Sequence, residues 1–207
     1  LLYHLTKEGW NDVILVEKGE LTSGSTWHAA GQCPHFVGSY NAAKIHNYSN
    51  NLYQQLEKET GQSTGWHGCG SLRLALKEED VNWFHYVKGI LDNVGSPAEF
   101  VPKEKILDIH PFLKLDDVIC ALHTPEDGHT DPTSTTNAMA KGARTGGAEI
   151  YRHNRVTAIN KLSSGEWEVV TEKGSITCEH VVNAAGSFGC EVAEMVGLSN
   201  IPSINMI

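Results

Sequence analysis

The string Gly24-Ser25-Thr26-Trp27-His28-Ala29-Ala30-Gly31 places one imidazole and one indole in a run of residues with little side-chain bulk. Glycine, alanine and small hydroxyl residues let a backbone come close to a diphosphate or a planar ring. An imidazole inside such a loop can serve as nucleophile, acid, base or ligand. Just upstream, the apolar run Val13-Ile14-Leu15-Val16 ends at Glu17. An acidic residue at the end of the second strand of a dinucleotide-binding fold accepts both hydroxyls of a ribose; the same position also suits the solvated end of any strand. A third approachable stretch, Ala184-Ala185-Gly186, follows Val181-Val182-Asn183. It is either a strand end open to a cofactor or a plain turn into a helix.

Other chemistries find little support. No Gly-x-Ser-x-Gly elbow and no phosphate-binding glycine loop occurs, which argues against serine hydrolase and nucleotide phosphatase readings. His123, Asp127, His129 and Asp131 lie close in sequence, but no third nitrogen or sulfur ligand follows at a zinc-like interval. No metal is expected. Cys33, Cys69, Cys120, Cys178 and Cys190 are odd in number and lack a CxxC pair, so reduced thiols are expected. The 207 residues carry a net charge of -9, which repels nucleic acid and anionic membranes. No run approaches the roughly 20 apolar residues of a membrane span.

The elements that would position these groups follow from periodicity and punctuation. Leu1, Leu2 and Leu5 have helical spacing, Gly9 suits a helix end, and Val13–Val16 reads as a strand buried on both faces, as in a parallel sheet. Helix, turn, strand and acidic end make the second half of a βαβ unit. Its first strand and glycine turn are therefore expected upstream of Leu1, and the chain is expected to be an internal piece of a longer protein. Ile45, Tyr48, Leu52 and Leu56 predict an amphipathic helix over 42–59. Leu72, Leu74 and Leu76 predict a half-buried strand. Val81, Phe84, Val87, Leu91 and Val94 predict a helix closed by Gly95 and Pro97. A short helix over 103–109 and a strand over 118–122 follow. Asp131 and Pro132 open the next helix as N-cap and first helical residue. Runs at 155–161, 166–171 and 174–179 read as an antiparallel meander. Val181–Gly186 is then expected to be a buried strand, and 187–196 a helix.

A three-stranded antiparallel crossover feeding a last parallel strand characterises FAD-binding domains of the glutathione-reductase type. Beyond that architecture, particular strings carry a resemblance: Leu15-Val16-Glu17-Lys18, Leu21 through Gly31, Thr64-Gly65-Trp66, Gly70-Ser71-Leu72, Asp127-Gly128-His129-Thr130-Asp131-Pro132 and Asn183-Ala184-Ala185-Gly186. Together these resemble the dimethylglycine dehydrogenase and sarcosine dehydrogenase family, FAD enzymes of the D-amino-acid-oxidase-like group. The resemblance covers nearly the whole chain, and the Ser25–Gly31 string is its most specific part.

What the resemblance implies is concrete. The fold is α/β: a Rossmann-like FAD-binding domain split into 1–66 and 131–200. Between its halves, 67–130 belongs to a mainly antiparallel substrate domain, to which 201–207 begins the return. His28 is bonded covalently to the 8α-methyl of the flavin, whose oxidised ring offers an electrophilic carbon to a neutral imidazole. Glu17 and Lys18 contact the adenosine side. Gly24, Ser25, Thr26, Trp27, His28, Ala29, Ala30, Gly31 and Gln32 line the flavin. Val156 meets the adenine, and Gly186 sits near the pyrophosphate or the ring. One departure stands out: members often place an aromatic directly after that glycine, whereas here Ser187 precedes Phe188.

The implied reaction is oxidative N-demethylation of a small N-methyl amino acid such as dimethylglycine or sarcosine. Hydride passes from the N-methyl carbon to the flavin. The resulting iminium ion hydrolyses to formaldehyde or, where a folate-binding domain follows, meets tetrahydrofolate. Electrons then leave to an electron-transfer flavoprotein or to oxygen, in the mitochondrial matrix or a bacterial cytoplasm. Two alternatives share the resemblance: a non-catalytic relative of the regulatory subunit of pyruvate dehydrogenase phosphatase, and an oxygen-using amino-acid oxidase. The general base and the carboxylate clamp are not legible in these residues.

Overall fold

A computed structural model describes residues 1–202, so the return run expected over 201–207 lies, from Ser203 on, outside the described residues. The chain divides into two compact units, Leu1–His28 with Ala140–Ile207, and Ala29–Met139.

In the first unit α1 (Leu2–Lys7) leads to β1 (Ile14–Val16), which pairs in parallel with β7 (Glu149–Tyr151), Leu15 standing opposite Ile150. The connection works because Gly146 has no side chain: a Cβ there would lie 2.5 Å from Thr6 Cβ on α1. Contrary to expectation, β1 is not buried on both faces, and Ile14 is exposed. A parallel strand is fully covered only between neighbours and flanking helices, and among the described residues β7 is its one partner. The meander forms as the turn signals predict. β8 (Val156–Lys161), β9 (Trp167–Thr171) and β10 (Gly174–Cys178) pair antiparallel in the order β10-β9-β8.

Val181–Gly186 corrects the sequence reading. It is not a strand, and Val182 is 63% exposed. An apolar run becomes a strand only where a neighbour takes up its backbone hydrogen bonds, and no described strand lies beside this one. The helical residues that follow form one turn over Gly186–Phe188 and then α6 (Gly189–Glu194), shorter than expected.

The second unit centres on a sheet in the order β3 (Ser71–Ala75), β5 (Cys120–Thr124), β4 (Glu99–Pro102), all antiparallel. One face packs Ala75 and Leu122 against Phe84, Val87 and Leu91 of α3 (Glu78–Val94). The other packs Leu72, Leu74 and Ala121 against Val118 and against Ile106 of α4 (Lys103–Ile109). Burying each large apolar side chain contributes about 1.5–3 kcal/mol. The strand at 71–75 is thus covered on both faces rather than one, and Leu76 falls beyond it, exposed.

A second, smaller ladder joins β2 (Gln32–Cys33) to β6 (Gly128–His129). Over it lies α2 (Tyr40–Thr60), whose buried residues are Ala43, Asn50, Leu52 and Leu56. Ile45 and Tyr48, read from spacing as core, are exposed. The inward positions of that half of the helix are polar because the neighbouring loops present bare carbonyls. His46 Nδ1 meets Pro34 O at 2.7 Å, Asn47 donates to Val94 O, and Asn50 donates to Cys33 O at 3.0 Å. The helix turns toward those bonds because buried carbonyls left without a donor are costly. From this unit α5 (Pro132–Thr145) carries the chain back to the first; Asp131 caps it as expected, accepting from Ser134 N–H at 2.6 Å.

Candidate cofactor-binding site

At the end of β1 the last ladder bond runs from Glu17 N–H to Tyr151 O. The chain then turns sharply, with Glu17 Oε1 accepting from Gly19 N–H at 2.8 Å. The segment joining β7 to β8 closes over this turn: Asn154 N–H donates to Glu17 O at 2.9 Å and His153 N–H to Gly19 O at 3.0 Å. Two residues beyond Asn154 stands Val156, at the start of β8. On the other side the Lys18 ammonium lies 3.0 Å from the centre of the Phe188 ring, a cation–π contact worth roughly 0.5–1 kcal/mol at an exposed site. Phe188 ends the turn that begins at Gly186, where φ is +56° and a Cβ would have no atom within 4 Å. The first unit therefore brings the turn at Glu17 and Lys18 together with the segments that lead to Val156 and from Gly186. It also answers the departure noted in the sequence: the displaced aromatic, Phe188, is the ring that receives Lys18.

The small-residue loop leaves this turn. Thr26–His28 forms a single tight turn, with His28 N–H donating to Ser25 O at 3.2 Å. The imidazole stacks on the Trp27 indole at 3.8 Å between ring centres and 34° between planes, and Trp27 is 58% exposed. Both rings and the small residues from Gly24 to His28 face outward. An accessible imidazole beside an apolar ring, in a backbone stripped of bulk, suits attack on a flat electrophile.

The rest of the loop, Ala29, Ala30, Gly31 and Gln32, belongs to the second unit. Ala29 and Ala30 are exposed, whereas Gly31 is tightly held. Its φ is +72°, its carbonyl accepts from Thr130 N–H at 2.9 Å, and a Cβ would stand 2.0 Å from Thr130 O. Gln32 then pairs with His129. Gly31→Ala is expected to combine about 1–2 kcal/mol for a left-handed alanine with about 1–3 kcal/mol for overpacking. Thermal melting should register the sum; an unchanged melt would mean that the backbone shifts freely here.

The largest feature that sequence reasoning missed lies directly behind this arm. His35 and Asp127 are each 2% exposed, and Asn50 is buried beside them. Asp127 Oδ1 accepts from His35 N–H and from His35 Nδ1, both at 2.7 Å, and Oδ2 accepts from Ser71 Oγ at 2.5 Å and Thr124 Oγ1 at 2.6 Å. Burial pulls the Asp127 carboxyl upward, but the bonds from His35, Ser71 and Thr124 outweigh it and hold the group below its usual range. Because the ionised carboxylate has no proton to give, His35 Nδ1 carries one. The Asn50 amide lies against the imidazole, 3.1 Å from Nδ1 and 3.4 Å from Nε2. Burial, then the charge of Asp127, pushes the Cys33 thiol up, and its Sγ–H donates to Gly31 O at 3.4 Å. In the sequence His35 sits in an unpatterned loop, and Asp127 shows as part of the Asp127–Pro132 string and of the His123–Asp131 cluster weighed for a metal, neither of which pairs it with His35. Among the described residues no three His, Cys, Asp or Glu side chains gather to hold a metal ion.

Residues 1–205 match the family described as DAO, FAD dependent oxidoreductase. The chain belongs to that family. It is 43% identical to mitochondrial dimethylglycine dehydrogenase of Rattus norvegicus over 200 residues, 97% of this chain and 23% of that protein. It is 36% identical to the mitochondrial pyruvate dehydrogenase phosphatase regulatory subunit of Mus musculus over 198 residues, covering 96% and 22% of the two. Among solved structures it matches L-proline dehydrogenase from P. horikoshii with a TM-score of 0.87 at 28% identity, over 95% of this chain and 52% of that one. The chain thus spans less than a quarter of the curated relatives' length and about half of the solved one. The donor set described above fits FAD: a carboxylate at the end of β1, an open glycine at Gly186 and an accessible imidazole among small residues.

Proposed function

We propose that the protein carrying this chain oxidises a small N-methyl amino acid of the dimethylglycine or sarcosine kind, with FAD attached through His28. The single observation that supports this most is the exposed His28 imidazole on Trp27, in the loop that leaves the Glu17 turn. Similarity to a dimethylglycine dehydrogenase supports the substrate class.

In this reading the Glu17 carboxylate, steadied by Gly19 N–H, accepts the ribose hydroxyls, and Lys18 flanks the same adenosine. Val156 packs on the adenine. Gly186 lets the pyrophosphate approach its backbone, while Gly24–Gln32 border the ring. The flavin, when bound, supplies the hydride acceptor for a C–H bond beside the amine nitrogen. His28, as an alkylated imidazole, withdraws electron density from that ring and favours its reduction. Residues 1–66 and 131–200 serve as the two halves of the cofactor domain, with 67–130 as the substrate-side insert. The product iminium hydrolyses to formaldehyde or is passed to tetrahydrofolate on a further domain. Electrons go to an electron-transfer flavoprotein or oxygen. The names of the two curated relatives say mitochondrial; the mitochondrial matrix is the compartment this reading gives the protein, and a bacterial cytoplasm would serve the same chemistry. No helix among the described residues is long and apolar enough to cross a membrane.

Anaerobic titration of the full-length flavoprotein with dimethylglycine and sarcosine tests the proposal, with bleaching of the flavin absorption as the expected result. A second reading, a regulatory subunit, draws on the 36% identity noted above. A flavin-loaded protein that no N-methyl amine bleaches would favour it, and rapid peroxide formation in air would mark an oxidase instead.

A further inference from the structure

We propose that His35 and Asp127 form a positioning pair that sets the backbone path at Gly31–Cys33, and thereby the attachment and environment of the flavin. The inference rests on the reading of that loop as a flavin-binding segment.

The ladder between β2 and β6 has only two residues on each side. Two-stranded pairing of that kind is marginal on its own, so something else must hold it. Asp127 immediately precedes β6, and His35 follows β2 by two residues. The carboxylate of Asp127 grips His35 through backbone and ring on one side, and Ser71 of β3 and Thr124 of β5 on the other. One side chain therefore ties the loop arm to the three-stranded sheet. The neighbouring bonds extend the hold along the chain, from Asn50 to Cys33 O, from Cys33 Sγ to Gly31 O, and from Thr130 N–H to the same Gly31 oxygen. Each successive group from Gly31 to His35 thus has a fixed partner.

The choice of side chains is informative as well. A buried ion pair or polar cluster can often be replaced by apolar residues of similar volume without loss of stability. What the polar set adds is direction, since each donor and acceptor admits one arrangement. Direction matters most where the backbone has to present a reactive loop in one place.

Full-length protein carrying His35→Leu, His35→Asn or the pair Ser71→Ala, Thr124→Val provides the test. Three quantities are compared with wild type: covalently held flavin, read as fluorescence of the denatured protein band during reconstitution; the flavin absorption spectrum; and the melting temperature. His35→Leu should fold yet take up covalent flavin at least about tenfold more slowly, because a misplacement of about 1 Å can cost up to about 10²-fold in rate. The flavin it does hold should have a shifted spectrum. His35→Asn, whose amide nitrogen stands close to the place of Nδ1, should restore both. Wild-type uptake and spectrum in His35→Leu, with only a lower melting temperature, would overturn the proposal and leave the pair a structural one. If His35→Leu does not fold, the double variant Ser71→Ala, Thr124→Val, which unties Asp127 from the three-stranded sheet, decides: slowed uptake supports the pair's role, and unchanged uptake refutes it. Wild-type protein that takes up no flavin at all would overturn the flavin reading itself, a result distinct from any variant's.

Discussion

Replacing His28 with alanine is expected to abolish covalent flavin while leaving the fold intact. The imidazole stacks on Trp27 and faces outward, and the hydrogen bond from its residue to Ser25 O is made by the backbone N–H. An alanine in the same turn keeps that bond, so removing the ring should cost little stability. Exposed substitutions away from packed features usually fall within about 0.5 kcal/mol. The effect on attachment should be total, because no other nucleophile stands in this loop: Ser25 and Thr26 hydroxyls are weak nucleophiles without an adjacent base. Acid-precipitated wild-type protein should stay yellow, and the variant's colour should pass to the supernatant. A variant that still precipitates with 8α-linked flavin would remove His28 from the reaction. Wild-type protein that sheds all its colour would remove covalent attachment altogether.

The second large effect is expected at Asp127. Substitution by alanine strands the His35 N–H and the His35 Nδ1–H in a buried site and leaves the Ser71 and Thr124 hydroxyls to each other; each buried donor left without a partner costs about 1–3 kcal/mol. Asparagine should recover part of that loss. Its oxygen can still accept from His35, and its amide can donate to the Ser71 or Thr124 hydroxyl, each of which can rotate to accept. What asparagine lacks is the charge, and hydrogen bonds to charged groups contribute about 1.5–3 kcal/mol against about 0.5–1.5 for neutral ones. The same site gives a pH signature. The Asp127 carboxyl is held below the ordinary aspartate value of about 3.9. Its contribution to stability is therefore complete above that value and is lost as pH falls through the folded-state value. Melting temperatures measured from neutral pH down to the acid limit should fall below about pH 4 more steeply for wild type than for Asp127→Asn. Parallel curves would show that the carboxylate is not the group being titrated.

Much of the secondary structure is legible in the order of residues alone. Helices opened by Asp131-Pro132 or closed by Gly95, and a meander punctuated by glycine turns, are set by neighbours a few residues away. Local propensity, capping and period carry that information. The Ser25–Gly31 string and Glu17 stand out as candidates for the same reason, since a loop of small residues and an acid closing an apolar run are local patterns. The readings that failed share a different cause. Val181–Gly186 has the composition of a strand but no described strand beside it, and backbone hydrogen bonds, not composition, decide whether an extended run becomes one. Ile45 and Tyr48 keep helical spacing with Leu52 and Leu56, yet the helix turns them outward, because carbonyls at Cys33 and Pro34 claim Asn50 and His46.

By itself, then, the order of residues determined where helices and turns fall, which family strings are present and which side chains are equipped for chemistry. Only the tertiary structure decided that Asp127, far along the chain from His35, would share its two oxygens with that histidine, Ser71 and Thr124. A buried carboxylate is bound to whichever donors the folded chain delivers to it. Those donors come from separate strands and loops, so no local pattern records the match.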